Sequence, residues 1–238
     1  MFKSKKVSIV IPTYNEAESI ADVINGFFAT GLVDEVVVVD NNALGNTIEE
    51  IAKTKARHIK EYDKQGYGYA LMRGLSEADG DLIVTVEADG TFEPGDLEKF
   101  LLYSQDFDVV LGTRTSRASI WSGAFMPWSV RFGNWAMAKF LEVLHNGPTL
   151  TDVGCTYKLI SRPVLESIKP LFLLSKGNGT FSPEMMIWLL RKGFKCIEIP
   201  VMFKPRVGQS MYTGSVLKAA WLGFKMIPVI IYYRLKKL

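Results

Sequence analysis

The chain has 238 residues, 48% of them hydrophobic, and a formal net charge of +3. This length allows one large α/β domain or two small ones, with ample chain for a buried core. Its two cysteines, Cys155 and Cys196, exclude a disulfide framework and lie at no metal-ligand spacing, which favours a reducing compartment. The first apolar run is too short for a signal peptide, so we expect a cytosolic protein.

Short apolar runs alternate with amphipathic segments along the first half of the chain. The runs predict strands at residues 7–12, 36–40, 58–62, 82–86 and 109–112, and the segments predict helices at residues 17–28, 48–56, 69–77 and 96–103. Strands that alternate with helices are typical of a doubly wound, mostly parallel sheet with helices on both faces. We therefore predict an α/β fold.

The second half of the chain has a less regular pattern. We expect loops over residues 115–135, and helices and strands at residues 134–144, 152–160, 163–168, 183–191 and 195–201. No internal repeat or linker interrupts the chain. We therefore predict one domain over residues 1–213, followed by a separate segment over residues 214–238.

Basic residues are concentrated towards the C-terminus. Ten of the 28 Lys and Arg residues follow residue 190, together with a single acid, Glu198. In residues 214–238 apolar side chains recur at helical spacing, but the apolar run 226–233 covers far fewer than the ~20 residues of a transmembrane helix. We predict a basic amphipathic helix on the surface of an anionic membrane. The alternative is a terminal helix packed on the domain or on a second subunit.

The basic residues accompany no nucleic-acid recognition motif, so no nucleic-acid partner is expected.

Two carboxylates follow the strand predicted at residues 82–86. Glu87 and Asp89 leave an extended backbone on the same side, and Gly90 permits a sharp turn after them. Asp40 and Arg114 also follow predicted strands, and ligands of such sheets bind beyond the carboxyl ends of the strands. Two converging carboxylates favour a hard divalent cation such as Mg²⁺ or Mn²⁺. The alternative is a solvated acidic turn.

A set of motifs resembles the family-2 glycosyltransferases of the GT-A fold. The set comprises the Ile-Pro-Thr-Tyr-Asn-Glu sequence of residues 11–16, the strand ending in Asp40, and the carboxylate pair. Over residues 7–211 the chain is most similar to the dolichol-phosphate mannose synthase and polyprenyl-phosphate glycosyltransferase branch. The pair is Glu-Ala-Asp here, where the family usually has Asp-x-Asp.

This resemblance implies a Rossmann-like, mostly parallel sheet and an inverting, metal-dependent glycosyltransferase. Such an enzyme would move a sugar from a nucleotide-sugar, GDP-mannose or a UDP-sugar, to a polyprenyl or dolichyl phosphate. It would work at the cytosolic face of a membrane, to which it is peripherally bound through residues 214–238.

The resemblance also implies the roles of individual residues. The nucleotide is expected to contact Pro12, Tyr14, Glu16, Asp40, Gly66, Glu87, Ala88, Arg206 and Ser210, and a Mg²⁺ or Mn²⁺ ion to bind Asp89 and Glu87. The expected catalytic residues are Asp89, Asp152, Arg114 and Arg131, and the expected acceptor-binding residues are Arg117, Arg131 and Glu184. Gly66 and Gly68 would permit a close backbone approach to the nucleotide.

Four of these roles depend on the chemistry of the acceptor. A hydroxyl acceptor needs a general base, for which Asp152 is the only plausible residue, whereas a phosphate oxygen is already ionised and needs none. A phosphate acceptor needs cations, which Arg114, Arg117 and Arg131 would supply. The plainer interpretation makes each arginine a solvated surface charge and Glu184 an acid favoured in the first turn of a helix.

Three other functions remain open at the level of sequence. One is a glycosyltransferase with a soluble or glycan hydroxyl acceptor, and another is a protein that binds a nucleotide-sugar without turnover, since Glu87 replaces the usual Asp. A nucleotidyltransferase also shares this sheet architecture, but the Gly-rich, Lys-containing phosphate loop is missing near the first strand.

Overall fold

The computed structural model describes residues 1–43, 45–208 and 215–236. Seven strands form one sheet in the order β3-β2-β1-β4-β6-β5-β7. The strands are β1 (Val7–Thr13), β2 (Glu35–Asp40), β3 (Arg57–Lys60), β4 (Leu82–Thr85), β5 (Val109–Thr113), β6 (Lys158–Ser161) and β7 (Cys196–Pro200). Strand β6 runs antiparallel to both of its neighbours, and every other pairing is parallel. The predicted mostly parallel α/β sheet is therefore confirmed.

Helices cover both faces of the sheet. They are α1 (Ile20–Ala29), α2 (Thr47–Ala52), α3 (Tyr67–Glu77), α4 (Leu97–Tyr103), α5 (Trp128–His145), α6 (Arg162–Ile168), α7 (Phe181–Arg191) and α8 (Val216–Leu235). Helices α1, α2 and α4 contribute to the apolar core on one face, and α3 with α5 to α8 to the core on the other. Every residue of β1 is buried between these layers, which explains its mostly apolar sequence.

The parallel register brings the ends of strands together. Thr13, at the end of β1, pairs with Asp40, at the end of β2. Strand β4 lies on the other side of β1 and delivers the following carboxylates to the same edge of the sheet. This edge is where ligands of such folds bind.

Helix α5 begins at Trp128, so the prediction of loops over residues 115–135 is wrong for residues 128–133, and the helix predicted at residues 134–144 begins six residues too late. Pro127 precedes the helix, and two aromatic side chains of its first turns face outward, with Trp128 75% and Phe132 57% exposed. Outward-facing aromatic residues obscure the apolar stripe by which a core-facing helix is recognised. The first turns of the helix were therefore hidden from a periodicity argument, whereas its remainder agrees with the helix predicted at residues 134–144.

Helix α8 is continuous over 20 residues even though Pro228 lies inside it. Three of its side chains, Met226, Ile230 and Tyr233, are buried against the domain. Its length and composition alone would also suit a membrane span, which the short apolar run in the sequence did not suggest.

Two side chains of the domain hold the C-terminal half of α8. The His145 Nε2 atom lies 3.1 Å from the Ile230 carbonyl oxygen, and Arg191 donates to the carbonyl groups of Tyr233 and Lys236. Helix α8 thus packs on the domain and exposes its other face. The expected domain boundary at residue 213 falls in 209–214, outside the described residues.

Candidate active site

A cleft of about 950 Å³ opens at the carboxyl ends of β1, β2, β4 and β5. Its wall includes Thr13 at the end of β1, Asn41 after β2, the Glu87 and Asp89 pair after β4, and Arg114 after β5. The structure therefore assembles at one edge the strand ends that the sequence predicted to meet there.

The two carboxylates of the pair occupy different environments. Asp89 is 2% exposed, and its Oδ1 atom accepts hydrogen bonds from the backbone and hydroxyl of Thr91 at 3.0 and 2.6 Å. Its Oδ2 atom accepts from Arg206 Nη1 at 2.6 Å. Burial and the neighbouring charge of Asp89 raise the pKa of Glu87 well above its usual range. The two carboxylates thus place negative charge close together, and the positive charge of Arg206 partly compensates it.

These residues fit a divalent cation that is completed by a ligand. Among the described residues no third His, Cys, Asp or Glu joins the pair to form a cluster of metal-binding side chains. Mg²⁺ is commonly bound by one or two carboxylates together with phosphate oxygens and water. A cation would also relieve the repulsion that raises the pKa of Glu87.

Pro12, Tyr14 and Glu16 line the end of the cleft beyond β1, as expected. Glu16 Oε2 accepts from the Thr13 hydroxyl and from the backbone of Tyr14 and Asn15, at 2.8–2.9 Å. Glu16 therefore uses one of its two carboxylate oxygens to stabilise the conformation of its own loop.

Asp40 lies behind the cleft wall and is fully buried, contrary to the expected contact with the nucleotide. Its carboxylate accepts from the Ala43 backbone at 2.6 Å and from the Tyr62 hydroxyl at 2.6 Å, and His58 Nε2 lies 3.5 Å away. The hydrogen bond to Asp40 raises the pKa of Tyr62 to about 12. Groups of neighbouring loops already satisfy this carboxylate, so it stabilises the loops around the cleft.

Asn41 lines the cleft, whereas the adjacent Asp40, which was expected there, does not. Its side chain donates to the carbonyl groups of Glu61 and Lys64 and accepts from Gly66 N at 2.7 Å. Asn41 directly follows the strand predicted to end at Asp40. Since Asn also forms turns in ordinary loops, no signal in the sequence set it apart.

The two glycines around Tyr67 have different roles. Gly66 lines the cleft, whereas a Cβ on Gly68 would lie 2.7 Å from Phe181 Cβ and 2.8 Å from Gly177 C. Gly68 therefore allows the protein's own loop, and not the nucleotide, to approach α3.

Asp152 holds Arg114 in place. The guanidinium donates to the carboxylate through Nε at 2.8 Å and Nη2 at 3.0 Å, and the backbone amides of Arg114 and Gly154 donate to it as well. Burial disfavours the ionised Asp152, but the Arg114 charge and these hydrogen bonds lower its pKa overall. Such a carboxylate is poorly suited to accept a proton, so its geometry fits an anchor better than a general base.

Glu198, on β7, supports this anchor from behind. Its Oε2 atom accepts from the backbone and hydroxyl of Thr151 at 2.7 and 2.6 Å, and its Oε1 atom accepts from Asp152 N at 3.0 Å. Sequence reasoning missed this residue. A signal was present, because Glu198 is the single acid in a strongly basic stretch.

Other predicted acceptor-binding residues lie away from the cleft wall. Arg117 is exposed in a short 3₁₀ helix (Arg117–Ser119), and Arg131 lies half-buried in the first turns of α5. Glu184 is buried in α7, where its Oε1 accepts from the Thr180 hydroxyl at 3.0 Å. Asn134 of α5 does line the cleft, beside Arg114 and Gly154.

Three further polar side chains lie at or below the cleft floor. The sequence did not predict that they belong to the site. Tyr67 and Thr156 line the cleft, and each has a buried hydroxyl that lacks a partner among the described residues. Lys158, buried in β6, donates to Ser182 Oγ at 2.7 Å and to the Cys155 carbonyl. Burial lowers the pKa of Lys158 to about 8.

Arg206 reaches the cleft from a loop attached to the acidic turn. The Lys204 and Val207 amides donate to the Thr91 and Asp89 carbonyl groups at 2.8 and 3.0 Å. Ala88 also lines the cleft, and its carbonyl accepts from the Ser19 hydroxyl at 2.8 Å. Ser210, expected to contact the diphosphate, lies outside the described residues.

The cleft continues past Arg114 into an apolar branch between α5 and α8. Val130 and Met137 line it on α5, and Leu222, Met226 and Ile227 line it on α8. One continuous space therefore joins a polar end beside the carboxylates to an apolar end beside the C-terminal helix.

Comparison with known proteins agrees with this architecture. The model of the family "Glycosyl transferase family 2" matches residues 8–169. The chain is 28% identical over 232 residues to a dolichyl-phosphate hexose transferase of Haloferax volcanii, covering 97% of this chain and 96% of that protein. This similarity confirms the resemblance to the polyprenyl-phosphate glycosyltransferase branch.

A second relative is longer. The low-salt glycan biosynthesis hexosyltransferase Agl6 of Haloferax volcanii is 30% identical over 210 residues, which cover 86% of this chain. The same alignment covers 49% of Agl6, so the chain spans about half the length of that relative.

Among solved structures, glucosyl-3-phosphoglycerate synthase from Mycobacterium tuberculosis, in complex with Mn²⁺, uridine diphosphate and phosphoglyceric acid, superimposes with a TM-score of 0.74. The superposition covers 97% of this chain and 79% of that one, at 17% identity. It supports the fold alone.

Proposed function

Because the chain belongs to glycosyl transferase family 2, we propose that it transfers a sugar from a nucleotide-sugar to a polyprenyl phosphate. The donor is GDP-mannose or a UDP-sugar. The dolichyl-phosphate hexose transferase of Haloferax volcanii, which the chain matches over nearly its whole length, supports this acceptor class.

The observation that carries this proposal is the continuous cleft. Its polar end, with Tyr14, Glu16 and the Glu87 and Asp89 pair, suits a nucleoside diphosphate, whereas its apolar branch between α5 and α8 suits an isoprenoid chain. The charge of Arg114 acts on Glu87 at the polar end, and its Nη2 atom lies beside Asn134 of α5 on the side of the apolar branch. A polyprenyl phosphate with its chain in the apolar branch would present its phosphate to this arginine.

The environment of Asp152 favours a phosphate as the acceptor. Both carboxylate oxygens are engaged by Arg114 and by backbone amides. A hydroxyl acceptor needs a base to remove its proton, but a phosphate oxygen is ionised near neutral pH. Arg114 would bind that anion and orient it towards the anomeric carbon, on the face opposite the departing diphosphate. We therefore propose inversion at this carbon.

Asp89 and Glu87 are the residues that would hold a Mg²⁺ or Mn²⁺ ion. When bound, the cation supplies electrostatic stabilisation to the diphosphate as the glycosidic bond breaks. Arg206, which lines the same part of the cleft, would bind the diphosphate from the other side.

We further propose that helices α5 and α8 rest on the cytosolic face of a membrane. On α8, Trp221 is 63% and Phe224 is 66% exposed, and Lys225 lies 5.3 Å from the Trp221 ring. Exposed aromatic residues beside basic ones suit the interface of an anionic membrane. The mouth of the apolar branch would then face the lipid from which the acceptor enters.

Transfer assays test the reaction. Purified protein with Mn²⁺ is incubated with labelled GDP-mannose, UDP-glucose or UDP-N-acetylglucosamine, and with dolichyl phosphate or undecaprenyl phosphate in detergent. We expect a labelled, lipid-extractable product from one donor and its loss on chelation of the metal. Transfer only to water-soluble sugars or glycans would contradict the lipid acceptor, and nucleotide-sugar binding without any transfer would contradict the enzymatic activity.

Vesicle flotation tests the membrane contact. Substitution of Trp221 and Phe224 by Ser should weaken binding to anionic vesicles at least tenfold, because apolar burial and attraction to anionic lipid add. A matched control is Leu102→Ser, which changes an exposed side chain on α4, on the other face of the sheet. Equal flotation of all three proteins would contradict the proposed contact.

A further inference from the structure

Arg206 joins two acids of the cleft that belong to different parts of the proposed site. Its Nη1 atom donates to Asp89 Oδ2 at 2.6 Å, and its Nη2 atom to Glu16 Oε1 at 3.2 Å. Asp89 belongs to the proposed cation site, and Glu16 to the nucleoside end. One side chain therefore spans the place where a diphosphate would lie.

Asp89 has little capacity left for a cation in this arrangement. Thr91 occupies one of its oxygens with two hydrogen bonds, and Arg206 occupies the other. A divalent cation on Oδ2 would have to lie against the guanidinium, and two positive charges so close in a half-buried site repel strongly. Cation and guanidinium therefore compete for the same oxygen.

Arg206 is itself incompletely paired. Its Nε atom is buried and has no partner among the described residues. An unsatisfied buried donor is uncommon and favours any ligand that brings an acceptor. A diphosphate, which is rich in anionic oxygens, would satisfy this donor with a charge-assisted hydrogen bond.

The backbone around Arg206 can stay in place while its side chain moves. The Lys204 and Val207 amides hold the loop to the acidic turn, whereas the Arg206 side chain is 26% exposed within the cleft. A change of side-chain rotamer can therefore transfer the guanidinium from Asp89 to a ligand without unfolding of the loop.

We propose that Arg206 occupies the cation's place on Asp89 in the nucleotide-free protein, and that a nucleoside diphosphate draws it away. The divalent cation and the nucleotide then bind together, and the cation alone binds weakly. This inference rests on the proposed function, since it takes the ligand to be a nucleoside diphosphate. Because coupling of two ligands is reciprocal, the cation must tighten nucleotide binding by the same factor.

The test measures Mn²⁺ binding directly, by titration of the free-ion electron paramagnetic resonance signal, with and without UDP or GDP. For Arg206→Gln we expect Mn²⁺ alone to bind about fivefold to tenfold more tightly than in the wild type, because the competing charge-assisted hydrogen bond is lost. The same variant should bind UDP or GDP with Mn²⁺ about tenfold more weakly. These opposite changes distinguish competition from simple damage to the site.

Lys204→Gln is the matched control, because it removes the same charge from the same loop. Lys204 pairs with Glu93 at 2.9 Å and lies over the Trp121 ring, away from Asp89. We expect this variant to keep the wild-type Mn²⁺ affinity. Should Arg206→Gln fail to fold, Arg206→Ala removes the same competitor and is expected to give the same tightening.

Unchanged or weaker Mn²⁺ binding by the variants of Arg206 would overturn the inference, and so would equal tightening in Lys204→Gln. Equal Mn²⁺ affinity of the wild type with and without nucleotide would also overturn it. Each of these results leaves the proposed function standing if the wild type binds UDP or GDP. A wild type that binds neither nucleotide would overturn both proposals.

Discussion

The Asp152 carboxylate and the Arg114 guanidinium form a two-point pair, with 2.8 Å from Nε to Oδ2 and 3.0 Å from Nη2 to Oδ1. The pair fixes Arg114. Among the described residues that line the cleft, the other arginine is Arg206, beside the carboxylates. Two parallel hydrogen bonds restrict a guanidinium in orientation as well as in position.

Asp152→Asn should destabilise the protein and nearly abolish transfer. It leaves the buried Arg114 charge without its counter-charge, for which the cost is about 3–5 kcal/mol. We expect a lower free energy of unfolding in urea, loss of turnover by at least about a hundredfold, and retained binding of UDP or GDP with Mn²⁺. Near-normal turnover on a polyprenyl phosphate would show that Arg114 does not need this anchor.

Glu198→Gln should reduce turnover more than donor binding. The amide NH₂ of Gln cannot accept a hydrogen bond, so at least one of the donors on Thr151 and Asp152 loses its acceptor, at a cost of about 1–3 kcal/mol. Steady-state kinetics should show a lower kcat with little change in KM for the donor. The control is Glu93→Gln, a surface acid whose replacement should change stability by less than about 0.5 kcal/mol.

Gly68→Ala should destabilise the fold, whereas Gly133→Ala should not. A Cβ at position 68 would lie 2.7 Å from Phe181 Cβ and 2.8 Å from a backbone carbon of Gly177, too close without movement of the loop. Overpacking of this kind costs about 1–3 kcal/mol. At Gly133, inside α5, a Cβ meets no atom within 4 Å, so Ala should stabilise the helix by about 0.5–1 kcal/mol. Thermal denaturation of both variants tests the opposite signs.

Stability should rise with pH through the titration of Lys158. Burial lowers its pKa to about 8 in the folded protein, against about 10.4 in the unfolded chain. Between these values the unfolded state binds more protons, so the free energy of unfolding increases as pH rises from about 8 to about 10. Below about pH 8 both states carry the proton, and this contribution is constant.

Urea unfolding at pH 7.5 and 9.5 measures this effect. From pH 7.5 to 9.5 the free energy of unfolding should increase by about 2 kcal/mol more in the wild type than in Lys158→Met. This is the size expected when folding lowers a pKa by about two units. The comparison with the variant cancels other groups that titrate in the same range. Equal increases in the two proteins would place the pKa of Lys158 near its ordinary value.

The pattern of hydrophobic residues was sufficient to predict the sheet and the position of the carboxylate pair at its edge. Strands β1 and β2 are apolar along almost their whole length because both faces are covered, and this makes them visible in the sequence. Patterning failed for the start of α5, where the first turns expose Trp128 and Phe132. A helix that presents apolar residues to the outside lacks the contrast between faces on which such a prediction depends.

Single residues at the cleft were less predictable than the elements that carry them. Asp40 and Asn41 are adjacent, yet one is buried against Tyr62 and the other lines the cleft. Which of two neighbouring polar residues faces a ligand depends on the loops that surround them. For Asp40 these are its own turn at Ala43 and the segment at Tyr62, 22 residues further along the chain.

The sequence by itself determined the α/β fold, the edge of the sheet at which ligands bind, and the two carboxylates that mark it, because these follow from local periodicity and from the rule for parallel strands. Only the tertiary structure decided the partners of the charged groups. Arg114 meets Asp152, Glu198 meets Asp152 N, and Arg206 meets Asp89 across 38, 46 and 117 residues of chain. Electrostatic pairing depends on distance in space, and no local pattern in the sequence encodes that distance.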